Sequence, residues 1–167
     1  MTSHKIILID GYNVINRIPE LKPSLNEGLE NARGRLALQI SRWSHDHPAF
    51  ECVIVFDGDR QSAGDRQQRL AGIRCIFSRA SHGADDEIIR FVKNYGGRTS
   101  DITVVSDDNN VGNNCRAHGA SVQPSSYIMS GKPHHSGDRA KIGASVKVID
   151  KRTADEIDRE LRKKFGL

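Results

Sequence analysis

The fold is decided by residues 6–16, which read IILIDGYNVIN. Four apolar residues run without a polar break into Asp10 and Gly11, and this pattern predicts a strand that is buried on both faces and ends at a carboxylate. Glycine after the acid allows the backbone to turn sharply, so that Asp10 and Asn13 can both face the crevice beyond the strand end. The stretch therefore predicts an α/β protein whose first strand delivers an acid to the edge of its sheet.

Apolar runs that lead into acids recur along the chain. The further runs are ECVIVF at 51–56, IRCIF at 73–77 and ITVV at 102–105. The acids that follow them are Asp57, Asp85, Asp86, Asp107 and Asp108. Because ligands of an open parallel sheet lie beyond the carboxyl ends of its strands, we expect these acids to converge on one edge.

Helical patterns alternate with the apolar runs. Apolar residues at spacings of three and four predict a helix over residues 25–44, with this stripe on the sheet: Leu25, Leu29, Ala32, Leu36, Ile40 and Trp43. Residues 16–24 read as a loop, residues 58–72 as a polar excursion, and residues 121–123 as a short edge strand. A second helix is expected from Ala84. The alternation predicts a three-layer α/β sandwich with a central, mainly parallel sheet of four to five strands.

Length and composition indicate a domain with a substantial core. The chain has 167 residues, 37% of them hydrophobic, which suits one domain and is short for two. No apolar stretch approaches the length of a membrane span, and no signal-peptide core follows the N-terminus, so we expect a cytoplasmic protein without membrane contact. The three cysteines lack metal-ligand spacing and are expected to be buried, reduced thiols.

The basic charge lies near the C-terminus. Residues 131–152 carry six basic and two acidic residues, which accounts for the whole net charge of +4. We interpret residues 1–130 as the main domain, 131–152 as a basic linker, and 153–167 as an amphipathic helix that docks on the domain. A basic segment beside an acidic edge suits a protein that approaches a polyanion, and a solvated linker is the alternative.

The converging acids predict a metal site. Carboxylates gathered in one crevice repel each other unless a cation lies among them, and oxygen ligands without a His or Cys set favour Mg²⁺ or Mn²⁺. The primary predicted ligands are Asp10, Asp85 and Asp107, with Asn13 positioning a carboxylate or water. The secondary candidates are Asp57, Asp86 and Asp108. For Asp57, a ligand, a partner of a ligand and the acid of an Asp-Gly turn stay open; acids at a helix start, as at 85–86, are also favoured by the helix dipole.

The arginines of the 58–72 excursion are well placed to bind phosphates, with a solvated face as the open alternative. The basic residues predicted to bind a polyanion are Arg33, Arg60, Arg66, Arg69, Lys132, Arg139 and Lys141.

Four motifs in order resemble the YacP-like branch of the NYN domains, which are PIN-like nucleases. They are DGYN after the first run, VIVFDG at the second, GADDEI opening the helix and VVSDD at the last. The resemblance covers residues 5–129 and implies a Rossmann-like, PIN-like fold and metal-dependent cleavage of RNA, whether mRNA, rRNA or tRNA. It also suggests association with ribosomes. The family's acids fall on Asp10, Asp85 and Asp107, with Asn13 and Asp57 as further motif positions.

Two other functions are compatible with these residues. One is an RNA- or ribosome-binding module whose acidic cluster is inactive; the lack of an aromatic RNA-stacking motif speaks against it. The other is a phosphatase with Asp10 as nucleophile, which needs a second carboxylate two residues on, where Tyr12 stands. The sequence leaves the oligomeric state open.

Overall fold

The computed structural model describes residues 4–58, 66–79 and 81–129. All of them lie in one compact unit, Met1–Pro133. The strands are β1 (Lys5–Asp10), β2 (Phe50–Phe56), β3 (Gln67–Leu70), β4 (Ile73–Phe77), β5 (Ile102–Val105) and β6 (Ser121–Gln123). The α-helices are α1 (Gly11–Arg17), α2 (Leu29–Asp46), α3 (Ala84–Lys93) and α4 (Asn109–Ala117), with 3₁₀ turns at Lys22–Glu27, Thr99–Asp101 and Ser125–Ile128. The predicted linker 131–152 and terminal helix 153–167 lie outside the described residues.

The six strands form one mostly parallel sheet in the order β3-β4-β2-β1-β5-β6. Only β3, which pairs with β4, runs antiparallel to its neighbour. This confirms the predicted α/β class with a central, mainly parallel sheet. The prediction of at most five strands missed β3, because residues 58–72 were interpreted as a polar excursion and β3 lies within them. Its residues QQRL carry one apolar side chain in four, which is too weak a pattern to reveal an edge strand.

Helices cover both faces of the sheet, as a parallel sheet requires. On one face, Ile7, Ile9 and Phe56 pack in a core with α1, α2 and the Ser125–Ile128 turn. On the other face, Leu8 and Val55 pack in a second core with α3 and α4. The unbroken apolar run of β1 is explained by this arrangement, because alternate residues enter opposite cores and all are buried.

The helix boundaries near the N-terminus differ from the prediction. The loop predicted at 16–24 is wrong at both ends, since α1 extends to Arg17 and a 3₁₀ turn begins at Lys22. The helix α2 begins at Leu29 instead of residue 25. Gly28, with φ 112°, interrupts the periodic pattern between the 3₁₀ turn and α2. Leu29, predicted on the buried stripe, is 49% exposed.

The cysteines are buried and free, as predicted for all three thiols. Burial raises the pKa of Cys52, Cys75 and Cys115 to about 11, so each thiol stays protonated and unreactive. Among the described residues, no helix combines the length and the apolar character that crossing a membrane requires.

Candidate active site

Asp10 lies at the centre of the carboxyl edge of the sheet. It is the last residue of β1, between β2 and β5, and is only 5% exposed. The chain turns at once into α1, and Gly11 makes this possible: a Cβ at Gly11 would lie 2.4 Å from the ring of Phe56 and 3.0 Å from the carbonyl oxygen of Val55. The DG pair therefore holds a buried carboxylate at the sheet edge, as the sequence predicted.

Ser106 connects Asp10 to Asp108. The Ser106 hydroxyl donates to Oδ2 of Asp10 at 3.0 Å and accepts from the backbone N–H of Asp108 at 3.1 Å. Asp108 in turn caps α4, because its Oδ1 accepts from the N–H of Val111 at 3.0 Å. These bonds fix the loop after β5 against the end of β1.

Asp57 positions the helix that carries Asp85. Its Oδ1 accepts from the N–H of Ala84 at 2.7 Å, so the acid after β2 caps α3 across 27 residues of sequence. Gly58 permits the close approach of this loop to β4, since a Cβ there would lie 2.1 Å from the carbonyl oxygen of Ser78. Of the three interpretations left open for Asp57, this contact favours the partner that positions a predicted ligand.

Asp107 makes different contacts from Asp108, the next residue in the sequence. Its Oδ2 accepts from the N–H of Ser125 at 3.3 Å and from the Ser125 hydroxyl, while its own N–H donates to Oδ1 of Asn13 at 2.9 Å. Asn13 therefore contacts the loop after β5 through the backbone of Asp107. These contacts hold Asp107 against the Ser125–Ile128 turn.

Asp86 lies in the first turn of α3, beside Asp85. Its Oδ2 is 3.7 Å from Nδ1 of His82, and its side chain is 63% exposed. The exposed position and the histidine contact distinguish Asp86 from Asp85 beside it.

The acids at this edge raise the pKa of two carboxyl groups, those of Asp10 and Asp85. Burial raises the pKa of Asp10 to about 7; the charges of Asp85, Asp57 and Asp108 add to this, and the Ser106 hydrogen bond opposes it. Burial also raises the pKa of Asp85, with further contributions from Asp108, Asp57 and Asp86. The edge therefore concentrates negative charge around one buried carboxyl group.

The donor atoms around Asp10 suit a hard cation. The Ser106 hydroxyl contacts Asp10, and the charges of the Asp57, Asp85 and Asp108 carboxylates act on it. Mg²⁺ is commonly bound through one or two carboxylates with water completing its shell. In the ranges 4–58, 66–79 and 81–129, no three His, Cys, Asp or Glu side chains stand close enough together to form a complete site. The chemistry therefore fits a hydrated ion held by one or two acids, and does not form a three-carboxylate cage.

The predicted RNA-binding arginines that the structure describes lie at the β3 side of the sheet. Arg66 is 4.0 Å from Glu87, and Arg69 donates to the carbonyl of Gly72 at 3.1 Å. Arg33 on α2 is half-buried against aromatic rings. The other four candidates, Arg60, Lys132, Arg139 and Lys141, lie outside the described residues.

Two serines that hold the acids were not predicted. Ser106 stands directly before Asp107 in the VVSDD motif, so its position beside a strand-end acid was a usable signal. Ser125 had no such signal, because it lies 18 residues beyond Asp107 in a turn with no acid beside it.

Comparison with known proteins agrees with the fold and the motifs. The family model of the YacP-like NYN domain matches residues 7–165. The chain belongs to this family. The match confirms the resemblance carried by DGYN, VIVFDG, GADDEI and VVSDD. NYN domains are related to PIN-like nucleases.

Similar proteins come from Bacillus subtilis. The chain is 25% identical over 103 residues to the uncharacterized protein YacP of strain 168; the match takes in 62% of this NYN chain and 60% of that relative's length. A crystal structure of a Rae1 (YacP) mutant superposes with a TM-score of 0.63 at 22% identity, over 75% of this chain and 72% of that one. Another crystal structure of Rae1 (YacP) gives 0.57 at 21% identity, over 96% and 92%. At these identities the structures establish the shared fold.

Proposed function

We propose that this protein is a metal-dependent endoribonuclease that hydrolyses phosphodiester bonds of RNA, with Mg²⁺ or Mn²⁺ as cofactor. The observation that carries the proposal is Asp10, a buried carboxylate at the carboxyl edge of the sheet with three further acids around it. Its raised pKa of about 7 means that a bound cation would stabilise the ionised form. Membership of a family related to PIN-like nucleases supports the same reaction class.

We assign the ion to Asp10 and Asp85, which make no capping hydrogen bond to a helix among the described residues. When bound, such an ion lowers the pKa of a nearby water and offsets charge on the phosphate. Ser106 keeps Asp10 in one orientation by donating to its Oδ2. Asp57 and Asp108 each use one oxygen to cap a helix, and we propose that they contribute negative charge and hold water with the other.

The third acid of the site distinguishes two versions of this proposal. The sequence nominates Asp107, and the electrostatic coupling favours Asp108, whose charge raises the pKa of both Asp10 and Asp85. Asp108→Asn keeps an acceptor for the helix cap, because asparagine caps helices as well as aspartate does. If Asp108 is the third acid of the site, Asp108→Asn slows cleavage more than Asp107→Asn. If Asp107→Asn slows cleavage more, Asp107 is the third acid.

The direct test is RNA cleavage. Single-stranded and structured RNA are incubated with the protein and Mg²⁺ or Mn²⁺, beside an EDTA sample, Asp10→Asn, and the control Asp46→Asn at the exposed end of α2. We expect cleavage that requires the cation and Asp10, leaves 5′-phosphate and 3′-hydroxyl ends, and tolerates a 2′-deoxy sugar at the cut. Cleavage that survives chelation, or cyclic phosphate ends, would overturn the mechanism.

An RNA- or ribosome-binding module with an inactive acidic cluster is the second candidate. One observation favours it: the described acids do not form a three-ligand site. RNA binding without cleavage, unchanged in Asp10→Asn, would establish this function instead. Association with ribosomes belongs to both candidates, and cosedimentation on sucrose gradients tests it.

A further inference from the structure

Arg33 occupies an unusual position for a surface arginine. It lies on α2 with its guanidinium carbon 5.7 Å, 5.8 Å and 5.0 Å from the ring centres of Tyr12, Phe56 and Phe77. Its Nε donates to the hydroxyl oxygen of Tyr12 at 2.6 Å. Three rings and one hydrogen bond thus fix the planar group in a single orientation before any ligand is present.

The rest of the guanidinium is available for an anion. Of its five N–H donors, Nε–H is used by Tyr12, and neither Nη atom makes a hydrogen bond or an ion pair within the described residues. Arg35, two residues along the same helix, is paired with Glu27 at 2.9 Å and exposed. Because the half-buried guanidinium forms no ion pair with a carboxylate in the described part of the chain, a phosphate can accept two parallel hydrogen bonds from it.

A cavity of about 270 Å³ opens beside Arg33, between α2 and β3. Its apolar walls are Leu29, Leu70 and Phe77, and its polar groups are Glu30 and Gln68. The Leu29 side chain is 49% exposed, and a ligand in the cavity would cover this apolar surface. Apolar walls with a carboxylate and an amide suit a nucleobase, which offers flat faces and hydrogen-bonding edges.

The ring cluster lies at the same sheet edge as the acidic site. Phe56 directly precedes Asp57, Tyr12 follows Asp10 by two residues, and Phe77 is the last residue of β4. We propose that this cavity binds one nucleotide of a single-stranded RNA, with its phosphate on Arg33 and its base between Leu29 and Leu70. The inference deepens the proposed nuclease function by defining a substrate subsite, and its test does not depend on cleavage.

The test compares Arg33→Met with Arg35→Met in EDTA, where no cation-dependent cleavage occurs. Methionine keeps the packing stem and removes the charge. Binding of a labelled single-stranded RNA is followed by fluorescence anisotropy across a salt series. One phosphate contact contributes about 0.7 to the slope of log K against log salt for single strands. We expect Arg33→Met to lower the slope by about 0.7 and the affinity by about tenfold, and Arg35→Met to leave both near the wild-type values.

Competition with small ligands separates the two halves of the subsite. We expect a nucleoside monophosphate to displace the RNA from the wild-type protein but not from Arg33→Met, and the nucleoside and inorganic phosphate to compete more weakly. Equal competition by inorganic phosphate would overturn the base position, and equal effects of the two methionine variants would overturn the role of Arg33.

A folding control accompanies Arg33→Met: its thermal melt is recorded beside that of wild type. Arg33→Lys keeps the charge but not the planar guanidinium that stacks on the rings, and it should recover part of the salt slope. An unfolded Arg33→Met with normal RNA binding by Arg33→Lys would count against the proposal. Loss of binding in the Arg33 variants without any cleavage by wild type would reject the nuclease and keep the subsite.

Discussion

Removing the charge of Asp10 should stabilise the folded protein when no divalent cation is present. Raising the pKa of Asp10 from 3.8 to about 7 corresponds to roughly 4 kcal/mol at about 1.4 kcal/mol per pKa unit. The folded protein holds a proton on Asp10 that the unfolded chain has already released between these two pKa values. The contribution of Asp10 to stability is therefore complete below about pH 4 and is lost as the pH rises through about 7.

Asp10→Asn keeps the shape of the side chain and an oxygen that can accept from Ser106. At about pH 8 in EDTA it should raise the free energy of unfolding by up to roughly 4 kcal/mol, or Tm by about 10 °C for a chain of this size. At about pH 4 the two proteins should melt within a few degrees of each other. Urea unfolding at a series of pH values measures the difference directly, and other titrating groups cancel between wild type and variant.

The control is Asp46→Asn, at the exposed end of α2, which should change stability by less than about 0.5 kcal/mol at any pH. The reasoning is refuted if Asp10→Asn is no more stable than wild type at about pH 8, or if its advantage is the same at about pH 4. Either result would mean that the buried carboxylate is not destabilised by its surroundings.

Three other perturbations test the same edge, and a fourth, Gly34→Ala on α2, is the comparison for Gly11→Ala. Mg²⁺ at about pH 8 should raise the Tm of wild type and leave that of Asp10→Asn unchanged, since only an ion that binds the folded state stabilises it; equal shifts in scanning calorimetry would contradict the assignment. Ser106→Ala should slow RNA cleavage by roughly tenfold, because Asp10 loses its orienting hydrogen bond, and unchanged rates would remove Ser106 from the site. Gly11→Ala should cost roughly 1–3 kcal/mol in urea unfolding, because its Cβ would meet the Phe56 ring. Gly34→Ala, with nothing within 4 Å of the new Cβ, should instead stabilise the exposed face of α2 by about 0.5–1 kcal/mol.

The sequence was most informative where burial is uniform. In β1, β2, β4 and β5 nearly every side chain enters one of the two cores, so an unbroken apolar run reported each strand and its end. The edge strand β3 has no such signal, because an edge strand pairs through backbone groups on one side only and tolerates polar side chains. The start of α2 was misplaced for a related reason: Leu25 and Leu29 continue the helical spacing, although Gly28 breaks the backbone between them.

Within the candidate site, the sequence predicted which acids reach the edge but not how each is bound. Asp107 and Asp108 are adjacent after the same strand, and nothing in their local pattern separates them. The difference arises from tertiary contacts, since Ser125 binds the side chain of Asp107 while Asp108 turns toward α4 and caps it. The sequence nominated Arg33 but could not reveal the rings around it, because these come from α1, β2 and β4.

Backbone amides explain how the fold tolerates so many acids at one edge. Asp57 accepts an N–H at the start of α3 and Asp108 one at the start of α4, where the helix dipole also favours negative charge. Asp10 is the residue before α1, yet its side chain makes no capping bond to that helix, and within the described residues its hydrogen-bond donor is the neutral hydroxyl of Ser106. The negative charges of Asp57 and Asp108 are thus partly offset by helix N–H groups, while that of Asp10 is not. A bound cation therefore stabilises the ionised form of Asp10 most, and for this reason the reaction proposed for the edge is centred on Asp10.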